Sequence, residues 1–150
     1  MANYTGADVI TASDVTKYQP DAFDFGVAST SAEAVNFFAQ TTNDIFRQLR
    51  VEWFPVYKTN IFTDITVLNT AELVNTKVNL DQFERAGVYL FLGRFFLPAL
   101  TKFRPETEKD RFERMAEYYM SQYNMEWRMI LEDGVEYDVD ADGTIVSNER

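Results

Sequence analysis

The chain of 150 residues contains neither cysteine nor histidine. Without cysteine there can be no disulfide and no thiolate nucleophile, and zinc sites built from cysteine and histidine are excluded. The absence of histidine removes Ser–His and Cys–His mechanisms, together with the side chain that titrates near neutrality without help. Catalysis would have to use carboxylates, lysine, tyrosine or a bound hard cation. We therefore predict that the protein is not an enzyme.

Basic residues and long apolar runs are also scarce. Fourteen basic against 24 acidic residues give a net charge of −10, so the chain has no general attraction for nucleic acid or anionic membranes. The longest apolar run, residues 87–96, is interrupted by Arg94 and is shorter than the ~18–20 residues that cross a bilayer. The N-terminus lacks the basic-then-apolar pattern of a signal peptide. We expect a soluble protein that is made in the cytoplasm.

Aromatic residues and methionine are abundant by contrast. The sequence holds thirteen Phe, eight Tyr, two Trp and five Met, which is more than a small three-helix core typically needs. Such residues are enriched in the buried centres of subunit contacts. For any single residue the core is the better explanation, but the set as a whole predicts an oligomer interface.

Apolar residues recurring every three or four positions predict three long helices. The first covers about residues 32–50 and ends before Pro55, which cannot continue the hydrogen-bond ladder. The second begins near Asn79, and Pro98 should kink or end it. This helix is apolar on nearly all sides, so we expect that three helices of one chain cannot cover it alone. The third runs from about 105 to 131.

The remaining segments divide the chain into three parts. Residues 1–30 are predicted to form an extended N-terminal arm, with a short helix from about Ser13 to Tyr18. Residues 31–134 form the helical domain, which includes a mid-chain excursion at 51–78. In residues 135–150, apolar and polar residues alternate on either side of an Asp/Gly turn, which predicts a β-hairpin within an acidic tail. The fold prediction is a mainly α bundle of about three long helices with an arm, an excursion and a C-terminal β-hairpin.

Eight apolar side chains in the arm, the excursion and the tail are candidates for a partner interface. The two in the arm can dock either on the core of this chain or on a neighbouring subunit. The candidates are Phe23, Phe25, Trp53, Phe54, Tyr57, Ile61, Phe62 and Tyr137.

Residues 138–149 also match the twelve-residue calcium loop of EF-hands. Such a loop offers oxygen ligands to a hard cation and turns sharply at its sixth residue, here Gly143. Gly134 should stop the preceding helix too early for such a site, and there is no second loop to pair with. A hairpin turn explains the same letters, so a calcium site is the alternative interpretation. Its ligands would be Asp138, Asp140, Asp142, Thr144 and Glu149.

The order of elements resembles the head–tail adaptor (connector or head-completion) proteins of tailed bacteriophages. The similarity runs from about residue 13 to 149, except for the excursion at 51–78. It includes a helix ending in Leu49-Arg50-Val51-Glu52-Trp53, followed by Leu97-Pro98-Ala99-Leu100 and Met115-Ala116-Glu117-Tyr118-Tyr119. The last matching stretch is Gly134-Val135-Glu136-Tyr137-Asp138.

This resemblance implies a virion protein at the head–tail junction, without cofactor or catalysis. Its subunits would form a ring, often of twelve, between the capsid portal protein and the tail or stopper proteins. DNA would pass through the ring without specific binding, and the acidic surplus would help it to slide. Residues 51–78 and both termini would face partners. Alternatives are a small acidic calcium-binding or protein-interaction module, a small carboxylate enzyme and a helical regulatory domain.

Overall fold

The structure is a computed structural model that describes residues 7–24, 27–101 and 106–138. Within these residues the fold is mainly α, as predicted. Short 3₁₀ segments lie at Ala22–Asp24, Asn75–Lys77 and Leu80–Phe83. The α-helices are α1 (Ala12–Tyr18), α2 (Ala32–Gln48), α3 (Phe54–Ile61), α4 (Ile65–Thr70), α5 (Glu84–Leu90), α6 (Leu97–Leu100) and α7 (Glu106–Asp133).

Two π-helical turns carry the chain past its mid-helix prolines. The first π turn, Leu49–Trp53, joins α2 to α3, and the second, Phe91–Phe96, joins α5 to α6. Pro55 and Pro98 each occupy the second position of the helix that follows. A proline ring collides with the carbonyl four residues earlier, and the wider π turn moves that carbonyl aside. The prediction that Pro55 ends the first helix is therefore wrong, because helical structure continues from residue 32 to 61.

Local signals mark several other helix ends. The Ser31 hydroxyl accepts a hydrogen bond from the Ala34 N–H at 3.2 Å and caps α2. Gly134 adopts a φ of 93° directly after α7, the left-handed conformation that ends helices. The short N-terminal helix is present as α1. The picture of about three long helices is not confirmed, because the π turns divide two of the helical stretches and α1 and α4 are additional.

The predicted C-terminal β-hairpin is wrong. In the described part of the chain no strand forms, and extended pairing is limited to one antiparallel bridge between Val78 and Tyr137. The Asp138 N–H donates to the Lys77 carbonyl at 2.8 Å. The alternation in residues 135–138 reflects the burial of Val135 and Tyr137, but their backbone pairs with the mid-chain segment. The rest of the predicted hairpin, residues 139–150, lies outside the described residues.

The helical stretch from α5 to α6 is enclosed by its own chain. Helices α2 and α7 pack against it, and so does α1. The expectation that one chain cannot cover this stretch is therefore wrong, because the N-terminal segment supplies a further side. The fully buried residues of the stretch are Ala86, Val88, Leu90, Phe91, Leu92 and Phe96.

Residues 7–24 lie on the core and do not extend from it as an arm. The Val9 N–H donates to the Thr42 hydroxyl at 2.9 Å, which fixes the segment to α2. The Lys17 ammonium lies 3.1 Å from a Glu84 carboxylate oxygen on α5. The Phe23 ring meets the Phe96 ring edge-on, with centroids 5.3 Å apart. The segment is thus part of the folded domain.

Gly93 allows the second π turn to approach the backbone of α7. A Cβ at this position would lie 2.9 Å from the Met120 nitrogen and 3.0 Å from the Ala116 carbonyl oxygen. A Cβ at Gly87 would instead meet only side chains, among them Ile10 at 2.8 Å. Val9 and Ile10 belong to a non-helical segment, which can shift more easily than the backbone of α7.

We expect Gly93→Ala to lower the free energy of unfolding by about 2 kcal/mol, because overpacking outweighs the gain in helix propensity. Gly87→Ala is the matched control and should cost clearly less. Urea unfolding of both variants measures the difference. Equal losses, or a stabilised Gly93→Ala variant, would contradict this account of the contact.

Candidate functional site

Two surface cavities flank the first π turn and share Glu52. The first has a volume of about 330 Å³ and the second a volume of about 350 Å³. The first is lined by Asp44, Arg47, Gln48, Val51, Glu52 and Arg94. The second is lined by Glu52, Trp53, Val56, Tyr57, Asn60, Leu131 and Gly134.

Hydrogen bonds connect the first π turn to α7 beneath the first cavity. The Tyr123 hydroxyl donates to the Gln48 side-chain oxygen, and the Gln48 amide donates to Glu52 at 3.2 Å. The Trp127 indole N–H donates to the same Glu52 oxygen at 2.7 Å. Glu52 therefore holds the first π turn against α7 through the Trp127 indole.

An ion pair closes the other side of this cavity. The Arg94 guanidinium lies 2.9 Å from an Asp44 carboxylate oxygen and joins the second π turn to α2. Both carboxylates of the cavity therefore accept hydrogen bonds from this chain, which assigns them a structural task. Among the described residues no group of three or more acidic side chains could hold a metal ion. The absence of enzymatic activity stays a prediction.

Four of the predicted interface residues come together in one aromatic cluster. The Trp53 and Tyr57 rings are stacked with centroids 4.3 Å apart, and Tyr137 meets both rings edge-on at 5.7 and 5.6 Å. The Tyr137 hydroxyl accepts a hydrogen bond from the Val74 N–H at 3.1 Å. Phe54, Tyr57 and Tyr137 are buried, so the cluster holds the mid-chain segment to the C-terminal one. Trp53 is only partly buried, and it lines the second cavity together with Tyr57.

The other candidates are spread over the molecule. Phe23 packs on Phe96, and Ile61 and Phe62 at the end of α3 are half-buried. Phe25 lies outside the described residues. Large aromatic side chains are therefore poor guides to the exposed surface of this protein.

Smaller apolar residues, which the sequence reasoning missed, form the exposed surface of the mid-chain segment. Val51, Ile65 and Val56 are 70%, 69% and 64% exposed, and Val67 and Val74 are also exposed. We call these five residues the mid-chain face. Two of them, Ile65 and Val67, belong to a run rich in β-branched residues from 61 to 68, which lies within the predicted mid-chain excursion. Helix α4 forms there because the Asp64 carboxylate accepts from the Thr66 N–H at 2.9 Å and caps it.

Helix α4 buries none of its residues. An isolated helix of this length is unstable in water, and packing of an apolar face normally stabilises a helix in a protein. Here the apolar side chains Ile65 and Val67 face solvent instead. This is the arrangement expected of a segment that meets a partner.

The calcium interpretation receives no support from its one described ligand. Asp138 is buried beside the bridge between Val78 and Tyr137. Asp140, Asp142, Thr144 and Glu149 lie outside the described residues. The calcium loop stays a prediction.

No protein-family model matches the chain, and neither a curated protein nor a solved structure is significantly similar to it. The resemblance to head–tail adaptors therefore stays a prediction. Across the described segments, no helix has both the length and the apolar composition required to cross a bilayer.

The contact between Glu52 and Trp127 can be measured by a double-mutant cycle. We expect Glu52→Ala and Trp127→Phe to show a coupling energy of about 1 kcal/mol, because each removes one partner of a charge-assisted hydrogen bond. The control cycle pairs Trp127→Phe with Glu117→Ala, since Glu117 is exposed elsewhere on α7. Urea unfolding provides the four free energies. Equal coupling in both cycles would show that Glu52 does not anchor the turn.

The buried phenol of Tyr123 should make the fold sensitive to alkali. Burial raises the pKa of Tyr123 well above its ordinary value of 10.0. A raised folded-state pKa contributes stability that is complete below the unfolded pKa and is lost as the pH rises above it. We expect the free energy of unfolding to fall above about pH 10, with a slope that Tyr123→Phe makes shallower by about 1 kcal/mol per pH unit. Urea unfolding between pH 8 and 11 measures the slopes.

Gly93→Ala serves as the control, because it destabilises the fold without changing a titrating group. Its slope should equal that of the unmodified chain. A Tyr123→Phe variant with an unchanged slope would contradict the assignment.

Proposed function

We propose that the protein is a non-catalytic adaptor subunit of a tailed-phage virion, which docks on the portal protein through the mid-chain face. The observation that carries the proposal is α4, which buries no residue and presents Ile65 and Val67 to solvent. Exposed apolar side chains on α4 do not stabilise the fold of the isolated domain. The resemblance assigns partner contacts to this same stretch of the chain.

The apolar content of the mid-chain face suits a protein partner. Burying one Val or Ile side chain completely contributes about 1.5–3 kcal/mol, so five partly exposed ones can supply much of the energy of a specific contact. Val51 and Val56 also lie at the two cavities beside the first π turn, which would receive protruding side chains of the partner.

The aromatic excess does not contribute to this support. Most of the aromatic side chains in the described segments are buried within the chain, so they need no neighbour. The proposal depends on the mid-chain face and on the resemblance. In the proposed ring, often of twelve subunits, the net charge of −10 disfavours adhesion of DNA passing through the centre.

The test uses the portal protein encoded in the same genome. We expect the pure chain, mixed with portal, to give a ring-sized complex in native mass spectrometry and electron microscopy. The double variant Ile65→Asp/Val67→Asp should weaken portal binding at least about tenfold, because two charges would be desolvated in the contact. It should fold normally, since α4 contributes nothing to the core.

Val35→Asp is the matched control. Val35 is similarly exposed, but it lies on α2, outside the mid-chain face. It should leave portal binding unchanged. A chain that does not bind the portal refutes the adaptor proposal, and a double variant that binds as tightly as the unmodified chain refutes the assignment of the mid-chain face.

A further inference from the structure

Helix α7 carries a second row of side chains besides the row that faces the core. Its buried residues are Phe112, Ala116, Tyr119, Tyr123, Trp127 and Ile130. The second row follows alternating steps of four and three, the spacing of a helix–helix seam. We call it the outer seam: Arg111, Met115, Tyr118, Gln122, Met125, Met129 and Glu132.

The apolar side chains of the outer seam are well exposed. Tyr118, Met125 and Met129 have 59%, 55% and 55% of their surface in solvent. Met115 and Gln122 are half-buried. Methionine adapts its shape to a partner, and tyrosine gives a large contact at small entropic cost. Tyr118, Met125 and Met129 lie on one line along α7 and are therefore not singly scattered surface residues.

The outer seam has the same order of side-chain types from either end, except that its two end charges are opposite in sign. Gln122 lies at the middle, apolar side chains lie on both sides of it, and the two ends carry Arg111 and Glu132. A parallel second copy would bring Arg111 against Arg111 and Glu132 against Glu132. An antiparallel copy brings the Arg111 end of each helix to the Glu132 end of the other. We propose that two copies of this chain form an antiparallel, two-fold dimer through the outer seam of α7.

This symmetry identifies the occupant as a second copy. A two-fold contact uses the same patch on both subunits, so the patch must complement itself. A foreign partner would impose no such relation between the two halves of the seam.

The exposed flank of the outer seam opposes the dimer. Arg114 and Arg128 lie there on either side of Gln122, so the antiparallel arrangement brings Arg114 of one copy near Arg128 of the second copy. This repulsion between like charges weakens the dimer. Arg128→Glu should therefore tighten the dimer, whereas most surface charge reversals would weaken a contact.

The dimer goes beyond the proposed adaptor function and uses another surface. A two-fold contact closes at two copies and cannot build a ring by itself. Ile65→Asp/Val67→Asp on the mid-chain face should leave the dimer intact, and changes on the outer seam should leave portal binding by that face measurable. Failure of either proposal is thus distinguishable from failure of the other.

Site-directed crosslinking tests the position of the two-fold axis, because the chain has no native cysteine. With a short bismaleimide, Gln122→Cys should give a covalent dimer in high yield. Asn124→Cys is the matched control, since Asn124 is exposed two residues away on a different side of α7. Equal yields from both variants, or no dimer from Gln122→Cys, would overturn the proposal.

Sedimentation velocity tests the chemistry of the outer seam. Met125→Asp and Arg111→Glu should each raise the dissociation constant about tenfold, and adding Glu132→Arg to Arg111→Glu should restore it. Arg128→Glu should lower the constant. If Arg128→Glu weakens the dimer, or if the swapped pair fails to recover, the antiparallel arrangement is wrong. A chain that sediments as a monomer at all concentrations is equally contradictory.

Discussion

The burial of the stretch from α5 to α6 on nearly every side is the constraint on which the rest of the fold depends. Apolar side chains that point in all directions from one helix must be covered in all directions. Helices α2 and α7 cover part of this stretch, and the N-terminal segment covers the side near Gly87 through Val9 and Ile10. Most of the aromatic side chains that suggested a neighbouring subunit are buried within the described part of the chain. The core therefore closes within one chain.

The two π turns follow from the same constraint. Pro55 and Pro98 interrupt helices whose residues are needed on both sides of the proline, so ending the helix would uncover the core. With a π turn, the helical backbone continues past the proline and contains one irregular, wider turn. At the first of these turns, Glu52 is held by Trp127 and Gln48. The irregularity thus also creates the two cavities and leaves Val51 and Val56 at the surface.

Much of the helical structure could be predicted, because its signals are local. Ser31 marks a helix end through its hydrogen bond, and Gly134 marks one through its backbone conformation. The apolar stripe of α7 can be recognised from the spacing of its residues alone. The C-terminal hairpin failed because alternation reports which residues are buried, not which strand pairs with them. Tyr137 is buried as its pattern requires, yet its backbone pairs with Val78. A stretch of a few residues does not show which distant segment its backbone will pair with.

The sequence predicted which stretch of the chain contains the candidate site, but not which residues form it. The stretch 51–78 was expected to face partners, but its residues were selected for aromatic size. Large apolar side chains are favoured in the core, because they fill its volume and remove the most surface from water. Phe54 and Tyr57 are accordingly buried, whereas Val51, Val56 and Ile65 are exposed. A β-branched residue on an exposed helix gains nothing from the fold and lowers helix propensity. Its presence in α4 is therefore better evidence for a partner than an aromatic ring that the core can use.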